Sequence, residues 1–439
     1  MRADLSRVAC LLTVVSLAVG AAGCSGGERP VRIGLLTDCR GLFSGYEDQM
    51  LAGAELPLLR RGARLTNGRP SGGVSDARVA GRDVELIRGC TEESEHSILV
   101  EEARRLIEVE GVDAVVGAIG ESDSLVFREI ARKYPDVVFI PAWSGAQGLT
   151  LRHPAPNVYR FDTDEAQDIA GLGSYAYEKL GWRRAVTVAD STPVGWHEGA
   201  AFVAEFCALG GDVPARFTAP IDFGDPKVAR ALRDADGVAV LTYGGAFVPA
   251  NLLPALARMV GSPQTRMVVG TYVLEDSNAL VPIDGPLGGV VGASSIAPAN
   301  ATPAMRDYRT AFTRAFPGLP PSDAETPVAL DFNDAMEGLL RGLEASDGDL
   351  SDGRQRLREE LAQVRLDLPS SPVHLDQNRQ VIRNTYLKRV ARTGGRRAFQ
   401  LVRVVPGVEQ TFGGLLSSAP SPGPGSQPCR KATPPPWAR

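Results

Sequence analysis

Histidine is almost missing from this chain of 439 residues: only His96, His153, His197 and His374 occur. None stands in H-E-x-x-H spacing, and His197-Glu198 alone makes no metal site, so zinc chemistry of that type is excluded. A P-loop is also missing. No two cysteines have C-x-x-C spacing, which argues against a zinc ribbon or a dithiol redox pair. Arginine greatly outnumbers lysine, yet there is no long basic stripe, and the net charge is -5. Nucleic acid is therefore not expected as a partner. Gly171-Leu172-Gly173-Ser174-Tyr175-Ala176 satisfies G-x-G-x-x-A, but it lies inside a helical pattern rather than just after a strand, so the dinucleotide context is lacking. Gly120-Glu121-Ser122-Asp123-Ser124 begins like a nucleophile elbow and lacks the final glycine. No enzyme signature survives, and neither a cofactor nor a metal is expected. Long apolar runs are missing as well. The one run, Val8 to Val19, is shorter than the ~20 residues a membrane span needs.

That run is informative for another reason. Arg2 and Arg7 flank its start, and Gly20-Ala21-Ala22-Gly23 follows it. A basic start, a short apolar core and small residues before a cut predict a secretory signal peptide over residues 1–23. Leu17 to Cys24 resembles the bacterial lipobox, with Ala21 where that motif most often has leucine. The resemblance implies that Cys24 is diacylated and becomes the new N-terminus. Residues 24–30 are then the lipidated cysteine and a spacer, and the rest lies outside the cytoplasm, anchored to the cell membrane. In that oxidising compartment Cys39, Cys90, Cys207 and Cys429 are expected to form two disulfides, and three pairings are open. Cys39 and Cys90 each follow an early strand, and the two strands should lie side by side. This favours Cys39–Cys90 and leaves Cys207–Cys429 to pin the tail.

The remainder alternates strand and helix. Val31 to Leu36, Val84 to Ile87, Val112 to Gly117 and Val137 to Ile140 read as strands. Met50, Leu51, Ala54 and Leu58 recur at helical spacing, as do Ile98 to Ile107 and Leu125 to Arg132. A second block repeats the alternation. It has helices over Ala166 to Lys179, Glu198 to Leu209 and Pro249 to Met259. Its strands are Ala185 to Val188, Gly237 to Leu241, Met267 to Gly270 and Gly288 to Ala293. Helices over Thr302 to Phe316, Thr326 to Glu344 and Arg354 to Val364 follow, then hairpin strands at Val373 to Leu375, Tyr386 to Val390 and Phe399 to Val405. Such alternation predicts α/β architecture with parallel, doubly wound sheets. From Ser417 to Arg439 the composition is rich in Pro, Ser and Gly and predicts a disordered or loosely wrapped tail.

Ile33-Gly34-Leu35-Leu36, then Gly41, Tyr46, Asp48-Gln49 and Gly53-Ala54-Glu55, resemble the start of the branched-chain amino-acid binding proteins. These are type I periplasmic binding proteins that feed ABC importers. Further matches keep their order: Ala80 to Leu86, Val112 to Gly117, Ile140-Pro141-Ala142-Trp143-Ser144, Val158-Tyr159-Arg160, Tyr243-Gly244-Gly245 and Val373-His374-Leu375-Asp376. The resemblance covers roughly Val31 to Val405. It implies two Rossmann-like lobes joined by a three-strand hinge, with lobe one at 31–160 plus 296–365, lobe two at 161–295 plus 366–413, and a tail at 414–439. A small polar solute, an amino acid or a relative, would be held between the lobes and delivered to an ABC permease. In an alternative reading the same module is a sensor for a membrane signalling partner. A cell-surface hydrolase is the third reading.

The resemblance also nominates residues. Ser144 aligns with a hydroxyl that binds the ligand carboxylate, the alternative being a helix N-cap. An ungapped match places Glu121 on a family serine, and a one-residue shift restores Ser122. Glu121 facing the cleft would repel a carboxylate and favour an ammonium group or another cation; the alternative is a solvated acid in a first helical turn. Tyr46 matches a tyrosine at the cleft mouth, the alternative being a core tyrosine. Trp196 takes the place of a missing family tyrosine, and Phe247 lies near another aromatic position. Tyr272 stands where an amino-acid-binding member has a glutamate, a departure that argues against branched-chain amino acids; Glu275 or Asp276 could supply the ammonium partner from nearby. With Trp143, these rings suggest an aromatic, amide or cationic ligand.

Overall fold

The strand Val31–Asp38 is buried along nearly its whole length, as a parallel strand covered by helices on both faces must be. It is the centre of a five-stranded sheet ordered Arg78–Val79, Arg82–Thr91, Val31–Asp38, Ala114–Val116, Val138–Ile140. All its pairings are parallel except the edge pair Arg78–Val79 with Arg82–Thr91. The computed structural model describes residues 29–243, 251–275, 287–393, 396–416, 423 and 427–438. The predicted signal peptide, Cys24 and most of its spacer lie outside the described residues. Among those described, no helix is long and apolar enough to cross a membrane.

Helices cover both faces of this sheet. On one, Ile33, Leu35 and Val116 pack with Met50 and Leu51 of the helix Glu47–Arg60 and with Met336 and Leu339 of Pro327–Ala345. These two helices touch closely at Gly53, where a Cβ would stand 2.3 Å from the Ala329 carbonyl oxygen. On the other face Leu36, Val115 and Phe139 meet Leu99, Leu106 and Phe127.

A second sheet of nine strands follows the same logic. Its parallel part runs Val291–Ser294, Met267–Val269, Gly237–Leu241, Arg184–Ala189, Asp212–Thr218. Against Val291–Ser294 lies the antiparallel Val381–Thr393, paired in turn with Arg396–Val408 and with Pro372–Leu375, itself paired with Arg365–Asp367. The molecule is thus α/β with two lobes. The chain passes between the sheets three times: after Val138–Ile140, after Val291–Ser294 and after the helix Gln355–Gln363. Parallel bridges Phe139 to Val158 and Arg160 to Gln380 tie the first crossing to the edge of the first sheet and to the turn before Val381–Thr393 of the second. Arg160 is wholly buried there. It donates to the carbonyls of Ala146 and Thr163, each at 2.7 Å, and to the Asp162 carboxylate at 3.1 Å.

Four sequence expectations change. The helix predicted over Ala166 to Lys179 is two pieces, Glu165–Asp168 and Leu172–Glu178, broken at Gly171. Gly171 has φ +87°, and a Cβ there would meet Val405 at 2.4 Å, so the break lets the hairpin close on the helix. The strand Asp212–Thr218 and the helix Pro226–Asp234 were not anticipated. Asp225 caps that helix with Pro226 at its first position, a legible start signal. The hairpin strands run several residues beyond their apolar cores, because paired backbone and not burial sets their length. Lastly, the end of the tail is docked rather than loose. Trp437 is 6 % exposed, edge-on to Phe412 at 5.0 Å, and Cys429 bonds to Cys207. Both favoured disulfides are present, with Cα separations of 5.4 Å for Cys39–Cys90 and 5.2 Å for Cys207–Cys429.

Candidate functional site

The carboxyl ends of the two sheets face each other, and the loops that leave them meet in a small cavity. Trp143, Gly145, Pro327 and Asp331 come to it from the first lobe's elements, and Thr163, Glu165, Asp168, Thr271, Tyr272 and Ser295 from the hinge and second lobe. Pockets at strand ends of this kind are the general rule in open α/β sheets. Space for the centre of a water-sized sphere is only about 10 Å³, room for roughly one water.

Aromatic rings close the mouth. Phe43 lies edge-on to Trp143 at 4.9 Å and 6.1 Å from Tyr243, which stacks on Tyr272 at 4.5 Å. Tyr46 is 6.0 Å from Trp143. The row therefore runs from the first lobe to the second. Trp143 has φ +56°, an uncommon backbone state for a bulky residue and one that collects at functional sites. Its Nε1 is buried and has no hydrogen-bond partner.

Below the rings the wall is acidic. Glu165 begins the turn Glu165–Asp168, fixed by a capping box in which Asp164 accepts from the Gln167 N–H and Gln167 accepts from the Asp164 N–H. Glu165 is 2 % exposed; its Oε1 accepts from the Tyr272 hydroxyl at 2.9 Å, and its Oε2 is buried without a partner. It fits only because residue 145 is glycine: a Cβ there would stand 1.9 Å from Oε1. Burial, with the neighbouring acids Asp168, Glu198 and Glu121, holds the Glu165 carboxyl well above the ordinary carboxylate range. Asp168 accepts from the Thr163 hydroxyl at 2.6 Å and from the Ser295 N–H at 3.3 Å, and burial raises it in spite of these bonds. Glu198, wholly buried behind Gly270, accepts from the Thr271 N–H at 2.9 Å and is also held well above its usual range by burial. Asp331, in the opposite wall, is pushed up by burial and by Asp162, with Arg383 opposing.

The structure brings together Tyr46, Trp143 and Tyr272 in the aromatic row. Glu121 is in the first turn of the helix Glu121–Lys133, but it is not solvated: its Oε1 lies 3.2 Å from Nδ1 of the buried His197 in the second lobe. Ser122 points elsewhere, its hydroxyl 3.5 Å from that of Ser94. Ser144 is 1 % exposed, and both its N–H and its hydroxyl reach the Asp162 carboxylate, at 2.7 and 3.1 Å. Trp196 lines a separate pocket with Asp190, Arg216 and Phe217. Glu275 is ion-paired with Lys388; Phe247 and Asp276 lie outside the described residues. Sequence reasoning missed Glu165, Asp168, Glu198, Ser295 and Asp331. A usable signal for the first two was the D-x-x-Q capping pattern Asp164 to Gln167, which announces a helix start immediately beyond the Val158-Tyr159-Arg160 crossover.

Comparison with known proteins agrees with this architecture. A family model described as periplasmic binding protein matches residues 30–396. No curated protein matches. Among solved structures, an ABC transporter substrate-binding protein from Sphaerobacter thermophilus is 24 % identical with a TM-score of 0.75, over 86 % of this chain and 98 % of that one. A solute binding protein of an ABC transporter from Rhodopseudomonas palustris, in complex with 3,4-dihydroxybenzoic acid, is 20 % identical with a TM-score of 0.68, over 87 % and 98 %. A leucine binding protein from Thermotoga maritima is 19 % identical with a TM-score of 0.64, over 85 % and 98 %. At these identities the likeness establishes the fold.

Proposed function

Because the chain belongs to the periplasmic binding protein family, we propose that it captures a small polar solute between its lobes for an ABC importer. One observation carries this reading: residues from both lobes line a single cavity at facing strand ends. Closing two lobes over a solute buries it and reshapes the outer surface that a permease reads. The Glu121 to His197 pair and the Phe43 to Tyr243 contact bridge the lobes, so they form only when the cleft is shut. The solved relatives named above are described with leucine and with a dihydroxybenzoate, and both solute classes belong in a first screen. We place the lobe boundaries at 31–160 plus 296–365 and 161–295 plus 366–413, and read the protein as a binder and not an enzyme. Cys24 would carry the lipid that keeps it beside its permease at high local concentration.

A thermal denaturation screen of the purified protein tests the role. Amino acids, amides, amines and aromatic acids are the arms. A solute at a hundred times its Kd stabilises the native state by about 2.7 kcal/mol. Stabilisation by none of these classes, or chemical turnover of one, refutes the reading.

A further inference from the structure

We propose that the cavity selects a small cationic amine without a carboxylate beside its nitrogen. This rests on the chain being a solute-binding protein, and it names the solute class. Four of the cavity's lining residues are acids, Asp162, Glu165, Asp168 and Asp331, and none is Lys, Arg or His. Asp162 already answers Arg160 and Ser144. Asp168 accepts from Thr163 and Ser295. Glu165 is different: it is nearly fully buried, lines the cavity, and leaves Oε2 unpartnered. A buried acceptor with no donor costs free energy, and an ammonium N–H supplies the donor. Tyr272 and Trp143 both line the cavity, and aromatic faces attract cations. Among the described residues no group of acids is arranged to hold a metal ion, so the nitrogen cation is the better occupant.

A carboxylate-bearing solute finds no complement there. The Ser144 hydroxyl, the candidate anion ligand, donates to Asp162. No cationic side chain in the lining offers an anion a partner. The volume also selects: about 10 Å³ for a water-sized centre admits an ammonium head and little more in the closed form.

Protonation follows from the same geometry. Burial chiefly, with Asp168, Glu198 and Glu121 facing it and the Tyr272 hydroxyl opposing, holds the Glu165 carboxyl well above its ordinary range and favours its protonated form in the empty cleft. A cation beside it favours the charged carboxylate, so binding expels a proton from the protein.

Isothermal titration of the purified protein with methylammonium, ethylammonium and ethanolamine tests this, with glycine, leucine and benzoate as comparators. At least one amine should bind tenfold or more tighter than every comparator. The heat should vary with buffer ionisation enthalpy, as proton release requires. Glu165→Gln should weaken amine binding roughly 10- to 100-fold, the range of a charged hydrogen bond, without lowering thermal stability. Should that variant fail to fold, Asp331→Asn takes its place, with weakening in the same direction. Tighter binding of glycine, leucine or benzoate overturns the amine assignment and leaves the solute-binding reading intact. Amine binding that is undetectable, or unchanged in the folded variant, overturns the amine assignment; failure of the broader stability screen overturns the solute-binding reading.

Discussion

Glu55 offers a sharp test of how burial controls charge in this fold. It sits mid-way along the helix Glu47–Arg60, wholly buried, and neither carboxylate oxygen has a hydrogen-bond partner. Burial pushes its pKa up from 4.5 to about 8, with Arg88 pulling it down and Asp48 adding slightly to the rise. The sign follows directly. Between those two values the unfolded chain has lost the proton and the folded chain keeps it, so the native state binds more protons and stability falls as pH rises. From pH 5 to pH 8 the loss assignable to Glu55 is about 3 kcal/mol, at 1.36 kcal/mol per pKa unit. Glu55→Gln keeps the shape and removes the titration. Urea denaturation of both proteins at pH 5 and pH 8 isolates the residue, because contributions from distant acids such as Asp123 cancel in the difference. The variant should nearly match the parent at pH 5 and exceed it by about 3 kcal/mol more at pH 8 than at pH 5. A stability difference that is the same at both pH values would show that Glu55 is ionised in the native state, and the desolvation argument would fail.

Three other outcomes follow from the geometry. Gly145→Ala, which drives a Cβ into Glu165 at a position with φ +63°, should lower affinity for any cleft solute at least tenfold by titration. Replacing Cys207 and Cys429 by serine opens a closure across 222 residues and should cost about 2–5 kcal/mol in denaturation, with limited proteolysis then removing the tail. His197→Ala deletes the Glu121 contact across the cleft and should raise the radius of gyration of the solute-free protein in X-ray scattering.

What could be read from the chain, and what could not, divides along physical lines. Fully buried parallel strands such as Gly237–Leu241 announce themselves as short apolar runs, and the alternation with amphipathic helices carries the fold class. Glycine-dependent events are harder to read. The break at Gly171 and the nest for Glu165 against Gly145 depend on what approaches the missing Cβ, and that is a tertiary fact. The site divides in the same way. Rings at strand ends, Trp143 and Tyr272, are visible because the strands before them are visible. Glu121 stands in a first helical turn, which is local, but its partner His197 comes from the other lobe and no local pattern pairs them. Ser144 shows the converse: its position at a strand end is local, but the direction of its hydroxyl is set by Asp162, 18 residues on. The acids were missed for a related reason. In sequence, Glu165 and Asp168 look like ordinary first-turn carboxylates that favour a helix N-terminus. Only the folded cleft buries them together, and that burial raises both carboxyls above their ordinary range. The chemistry of this cleft therefore comes less from which residues line it than from how completely the two lobes remove water from them.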